Sequence, residues 1–147
     1  MTGEGLTRLI AAQLQSELDR GFEAIDLPTH ALVGKPLPVT SVKRLGPGRD
    51  LDLSASGRIT VVDVWATWCG PCIQAMPEVM SAVASFEDQP VTLVAINQQE
   101  SAGKVKKFLG AKGWDDLSVI MDADEKAREI IRKIRMGSYE MSGKPPM

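Results

Sequence analysis

The sequence has few cysteines and histidines, little charge imbalance and no apolar run long enough to span a membrane. Its 2 cysteines are too few for a scaffold of several disulfides, and it has 1 histidine. The formal net charge of -2 provides no field for a polyanion, so nucleic acid is not an expected partner. The longest apolar run near the N-terminus, Leu9-Ile10-Ala11-Ala12, is too short for a signal-peptide core.

What remains is the composition of a globular protein, organised as one domain with a small N-terminal appendage. Of its 147 residues, 44% are hydrophobic and 24% are charged, which is ordinary for a folded domain. Leucine or isoleucine recurs every four residues from Leu6 to Leu18, which predicts an amphipathic helix over Leu6–Arg20. Prolines and glycines then mark a linker. We therefore divide the chain into a helix with a linker, 1–31, and a main domain, 32–147.

The main domain alternates short β-branched apolar runs with segments of helical spacing. The apolar runs predict strands at Ile59–Trp65, Val91–Ile96 and Leu117–Met121. Helices are predicted to begin at Cys72, after Ser101 and after Asp122. Ser101 and Asp122 are the predicted N-caps of the second and third of these helices. A hairpin is predicted upstream, from Val39–Arg44 and Arg49–Leu53. This alternation predicts an α/β fold with a mainly parallel sheet and helices on both faces.

The two cysteines, Cys69 and Cys72, are separated by two residues at the predicted start of a helix. Unpaired backbone N–H groups and the helix dipole favour a thiolate at Cys69, and the thiolate is the nucleophile in disulfide exchange. Cys72 lies one turn into the helix and is the natural resolving thiol. Gly70 would permit close approach, and Pro71 suits a first helical turn because its missing N–H costs nothing there. The spacing therefore predicts a redox pair.

Two other uses of the cysteines are disfavoured by the sequence. A zinc site normally needs two further Cys or His ligands, and the single histidine, His30, is distant in a proline-rich segment. A purely structural disulfide that closes so short a loop would add little stability. We expect neither a metal nor an organic cofactor.

Asp63 interrupts the apolar strand six residues before Cys69. It is either a buried acid or the one solvent-facing residue of the strand. Burial would raise its pKa and suit it to exchange a proton with the resolving thiol, directly or through a water. The pattern alone leaves the two interpretations open.

The run Val-Val-Asp-Val-Trp-Ala-Thr-Trp-Cys-Gly-Pro-Cys, which ends at Cys72 and is followed by Pro77, resembles the thioredoxin superfamily. The preceding Val33-Gly34-Lys35-Pro36-Leu37-Pro38, the hairpin and the segment 101–121 resemble its TlpA/ResA-like branch. The resemblance implies a thioredoxin fold and thiol–disulfide exchange with the disulfides or dithiols of protein substrates. It implies a cell-envelope location, with the cytoplasm as the alternative. It also matches Asp63 to the buried acid of the family.

The sequence departs from that branch at two places. Many members carry Glu where this chain has Ala75. The family also needs a cis-proline loop, a strand pair and a last helix. Tyr139-Glu140-Met141-Ser142-Gly143-Lys144-Pro145 resembles the approach to that loop, which would make Pro145 the cis-proline, and the last hairpin and helix are then expected to be missing. Trp68 is expected at the rim of the active site. A truncated, non-catalytic module that binds partners is the alternative function.

The expected truncation has a consequence for Ile59–Trp65. In the thioredoxin fold this strand lies between the strand at Val91 and the first strand after the cis-proline. Without the second neighbour, one edge of Ile59–Trp65 is unpaired and apolar, and such an edge can pair with another chain. We expect self-association through this edge or marginal stability, with the N-terminal helix covering part of the exposed surface.

Overall fold

The computed structural model describes residues 3–19, 21, 41–53 and 57–142. Within these residues the elements follow in the order α1 (Gly3–Asp19), β1 (Ser41–Val42), β2 (Leu51–Asp52), β3 (Ile59–Trp65), α2 (Gly70–Ala84), β4 (Val91–Asn97), α3 (Ala102–Lys112), β5 (Val119–Met121) and α4 (Glu125–Ser142). The predicted α/β class is confirmed. No helix in this part of the chain is long and apolar enough to cross a membrane.

Three of the strands form a parallel sheet in the order β3-β4-β5. Strand β3 is in register with β4 from Ile59 opposite Val91 to Trp65 opposite Asn97, and Ala95 of β4 lies opposite Val119 of β5. The hairpin β1-β2 is antiparallel and shorter than predicted. Within the described residues β4 is the only strand paired with β3, so the other edge of β3 has no strand partner in this part of the chain.

Strand β4 is mostly apolar because both faces of the sheet are covered; Asn97, at its end, is a buried polar residue. On one face, Val94 and Ile96 pack against the hairpin and α4, in a buried cluster with Val42, Leu53, Ile120, Ala127, Ile130 and Ile131. On the other face, Ala95 packs against α2 and α3, in a buried cluster with Trp65, Met76, Val105, Leu109, Leu117 and Val119. The alternating side chains of one strand thus join two cores.

Helix α1 packs against α2 and β3 on the second of these faces. Leu14 of α1 is 5% exposed and shares a buried cluster with Phe86 and Val91. Ile59 and Val61 of β3 pack against the same cluster. The N-terminal helix therefore covers apolar surface next to the free edge of β3.

One of the two predicted N-caps is confirmed. The Ser101 hydroxyl accepts a hydrogen bond from the backbone N–H of Lys104 at 3.3 Å. The prediction for Asp122 is wrong: α4 begins later, and Asp124 accepts from the backbone N–H of Lys126 at 2.9 Å. The Asp122 carboxylate accepts instead from the backbone N–H of Gln99 at 3.0 Å, so it joins two loops.

Helix α4, the last helix among the described residues, extends further than the sequence suggested. Residues 139–142, compared above with the approach to a cis-proline loop, belong to α4. Pro145 lies outside the described residues, so its assignment stays a prediction.

Candidate active site

The redox pair lies at the carboxyl end of the parallel sheet, where the strands of an open α/β sheet commonly form binding sites. Strand β3 ends at Trp65, and the next four residues make a tight turn in which the N–H of Cys69 donates to the carbonyl of Ala66 at 3.1 Å. Cys69 has extended backbone angles, and α2 begins immediately after it at Gly70, two residues before the start predicted at Cys72. Cys69 thus occupies the N-cap position of α2, and its side chain makes no capping hydrogen bond there.

A disulfide joins Cys69 to Cys72, with 5.3 Å between their Cα atoms. Both residues are half-buried. Cys72 packs against the buried cluster that contains Trp65 and Met76. Among the described residues no group of three or more His, Cys, Asp or Glu side chains could hold a metal ion.

Three neighbours of the cysteines face outward. Trp68 is 64% exposed, and Gly70 and Pro71 are exposed. Pro71 occupies the first turn of α2, where the sequence placed it. A Cβ atom at Gly70 would meet no heavy atom within 4 Å, so no close packing within the described chain requires glycine there. The close approach that the sequence predicted at Gly70 therefore concerns only another molecule that approaches the disulfide from outside.

Asp63 lies on β3, on the face that carries Val61 and Trp65, because side chains alternate along a strand. This is the face covered by α1 and α2. The side chain is half-buried, and burial raises the pKa of its carboxyl. It borders a cavity of about 490 Å³ between α1, β3 and α2. The other lining residues are Ile10, Gln13, Leu14, Glu17, Ile59, Val61, Val62 and Val79.

Glu100, which the sequence analysis missed, is bound to the turn that precedes Cys69. Its side chain is only 2% exposed. Oε2 accepts from the backbone N–H of Thr67 at 2.9 Å, and Oε1 accepts from the Thr67 hydroxyl. Asn97 donates its side-chain amide at 2.8 Å, and the Lys104 ammonium lies 3.1 Å away.

The charge on Glu100 is held by these four donors. Burial acts to raise the pKa of its carboxyl, but the hydrogen bonds from Thr67, Asn97 and Lys104 outweigh burial and lower the pKa to about 2. The sequence contains a signal for this site, because the polar residues Asn97 and Glu100 lie at the end of an apolar strand and shortly after it. Polar groups at that end of a parallel strand are candidates for a site.

Comparison with known proteins agrees with this geometry. The Redoxin family profile matches residues 32–136. A thiol:disulfide interchange protein DsbE from Tatumella citrea is 33% identical over 121 residues, which are 79% of this chain and 63% of that protein. The thiol-disulfide oxidoreductase ResA from Bacillus subtilis is 32% identical over 78 residues, 52% of this chain and 43% of that protein.

A solution structure from Neisseria meningitidis, described as a thioredoxin, has the same arrangement over 58% of this chain and 57% of its own, with a TM-score of 0.51 and 19% identity. That likeness concerns the fold alone. The chain spans 63% of the length of its Tatumella citrea relative. The family match covers well over half of the chain, and the chain belongs to the Redoxin family, within the thioredoxin superfamily.

Proposed function

We propose that this chain exchanges thiols and disulfides with protein substrates, with Cys69 as the nucleophile and Cys72 as the resolving thiol. The observation that carries the proposal is the Cys69–Cys72 disulfide at the N-terminus of α2. A thiolate at Cys69 would lie at the positive end of the helix dipole, which stabilises negative charge. The names of the DsbE and ResA relatives support the same chemistry.

In the reductive direction, the Cys69 thiolate attacks one sulfur of a substrate disulfide. A mixed disulfide forms, and the other substrate sulfur leaves as a thiolate that takes a proton. The Cys72 thiolate then attacks the Cys69 sulfur, which releases the second substrate thiolate and forms the Cys69–Cys72 disulfide. The substrate gains two electrons and the pair loses two; oxidation of a substrate dithiol is the reverse.

Asp63 is proposed to accept the proton of Cys72 during resolution. Its side chain lies on the α2-facing side of β3 and borders a cavity large enough for water. Burial raises the pKa of the Asp63 carboxyl, which brings it closer to that of a thiol and makes proton transfer between them less unfavourable.

The exposed surface around the disulfide supports a protein substrate. Trp68 offers a large apolar face beside Cys69, and Gly70 and Pro71 add no side chain that would keep a polypeptide away. Exposed aromatic residues commonly anchor protein partners. A cell-envelope location is proposed from the resemblance to the DsbE and ResA group and is tested by immunoblotting of cell fractions from the source organism.

Reduction of insulin by dithiothreitol tests the reaction. We expect the chain to accelerate it, Cys72→Ser to accumulate a mixed disulfide through Cys69, and Cys69→Ser to form none. The two serine variants are matched controls because each removes one sulfur from the same pair. Absence of turnover by the parent chain, with retained partner binding, would instead favour the non-catalytic module.

A further inference from the structure

We infer that Glu100 is a positioning residue for Cys69, acting through Thr67; the inference rests on the proposed thiol–disulfide exchange. Glu100 is not adjacent to the cysteines in the sequence and is not part of the redox motif. It is brought to the motif by the loop that follows β4.

The turn that delivers Cys69 to the start of α2 consists of Ala66, Thr67, Trp68 and Cys69, closed by the hydrogen bond from Cys69 N–H to the Ala66 carbonyl. Thr67 is the second residue of this turn. Both of its donors, the backbone N–H and the hydroxyl, are bound by the two oxygens of the Glu100 carboxylate. Rotation of Thr67 would break two hydrogen bonds to a charged group, and these are stronger than neutral ones.

Glu100 and the loop that carries it are held by three contacts. Its carboxylate accepts from the side chain of Asn97, which is completely buried at the end of β4. The backbone of Gln98 donates to the carbonyl of Trp65 at 3.0 Å. Gln99 adopts a left-handed conformation, with φ 57°, and its N–H donates to Asp122. An unfavourable backbone conformation of this kind persists only where surrounding contacts enforce it.

The chemistry of the surroundings requires a carboxylate. Thr67, Asn97 and Lys104 present only donors to Glu100 in this arrangement, and both carboxylate oxygens accept from them. An amide of the same shape would turn an NH₂ group toward one of those donors. Glu100→Gln is therefore isosteric, but it removes the charge and at least one of these hydrogen bonds and so weakens the attachment of Thr67.

Charge and position predict effects of different size for this substitution. A negative charge near Cys69 disfavours its thiolate, so removal of the charge alone would lower the pKa of the Cys69 thiol and, with it, the limiting rate constant by only about threefold per unit of pKa. Loss of the anchor for Thr67 would let the turn move, and misplacement of a reacting group by about 1 Å can cost up to ~100-fold in rate. The reactivity of the fully ionised thiol separates the two effects.

The experiment measures the reaction of the reduced protein with glutathione disulfide from pH ~5 to ~9, which yields the pKa of the Cys69 thiol and the limiting rate constant of its thiolate. We expect Glu100→Gln to lower the limiting rate constant about tenfold. Thr67→Val should lower it, Thr67→Ser should keep it, and the double variant Glu100→Gln/Thr67→Val should react no more slowly than the slower single variant. Glu87→Gln is the matched control, an identical charge change at an exposed residue between α2 and β4.

A limiting rate constant for Glu100→Gln within about twofold of the parent, or additive effects of the two substitutions, would overturn the inference. If Glu100→Gln fails to fold by circular dichroism, the comparison of Thr67→Val with Thr67→Ser decides, and equal rate constants for that pair refute it. Glutathione disulfide replaces the protein substrate here. A parent chain that reacts with glutathione disulfide but not with insulin would refute the proposed protein substrates and leave the Glu100 comparison decisive.

Discussion

Trp65 and Trp68 are three residues apart, yet Trp65 is 1% exposed and Trp68 is 64% exposed. Trp65 ends strand β3 and packs against Phe108, with 5.8 Å between the ring centroids. Trp68 lies in the turn that leads to Cys69. One tryptophan therefore holds the end of the strand in the core, and the other forms surface next to the disulfide.

Trp68→Ala is expected to reduce kcat/KM for insulin about tenfold, because an exposed aromatic beside the disulfide would anchor a protein substrate. The rate with glutathione disulfide should change little, since so small a molecule needs no such anchor. Leu9→Ala removes another exposed apolar side chain, 56% exposed on α1, and serves as the control. Equal losses with both disulfides would contradict a role in binding protein substrates.

Asp63→Asn is expected to stabilise the protein near pH ~7 and to slow the resolution of a mixed disulfide. Burial raises the pKa of Asp63 above its ordinary value of 3.8, so the folded state holds this proton more tightly than the unfolded state. Stability therefore falls as the pH rises through the folded pKa, and the asparagine escapes that loss. Glu17 lines the same cavity as Asp63, so two carboxyl groups border it.

We expect the melting temperature of Asp63→Asn to exceed that of the parent by about 2–4 °C at neutral pH, with the difference vanishing below pH 3.8. Thermal melting across this range measures it, with the exposed Asp88→Asn as control. Resolution is followed by release of a thiol probe from its mixed disulfide. An unchanged rate of release would refute the proton-transfer role while leaving the stability prediction intact.

Glu100 should make the protein sensitive to acid. Its pKa is about 2 in the folded state against an ordinary value of 4.5, so its contribution to stability is complete above pH 4.5 and is lost as the pH falls toward 2. Glu100→Gln is expected to lower the free energy of unfolding by about 2 kcal/mol at neutral pH. Urea titrations at several pH values test this, and a difference that does not shrink in acid would contradict it.

Leu14 and Leu9 provide a matched pair for the role of helix α1. Leu14 is 5% exposed and packs against Phe86 and Val91, whereas Leu9 is 56% exposed. Leu14→Ala is expected to lower the free energy of unfolding by about 2–4 kcal/mol, and Leu9→Ala by less than about 0.5 kcal/mol. Urea titration of both variants is the measurement.

Deletion of residues 1–20 extends the same test to the β3 edge. It would uncover Ile59 and Val61, which pack against the α1 cluster, beside an edge with no strand partner among the described residues. We expect self-association of this variant in size-exclusion chromatography with light scattering. A deleted chain that stays monomeric and melts cooperatively at about 45–65 °C would refute both the covering role of α1 and the association.

The sequence alone was sufficient for the elements whose periodicity is strong. Strand β3 begins and ends where it was predicted, at Ile59 and Trp65, because a short run rich in β-branched apolar residues is typical of a buried strand. The cap at Ser101 was found because a hydroxyl ahead of helical spacing is a local signal. The Cys69–Cys72 pair was identified from its spacing, which a short covalent bridge requires.

Only the tertiary structure decided what depends on contacts between distant segments. The cap at Asp122 failed because that carboxylate has a partner in another loop, the N–H of Gln99, and Asp124 is the residue left to bind the helix. Glu100 and Thr67 are 33 residues apart in the sequence, and their contact exists because parallel strands β3 and β4 end at the same edge of the sheet. The spacing of the cysteines was readable in the sequence, whereas the register of β3 and β4 determined which distant carboxylate binds Thr67.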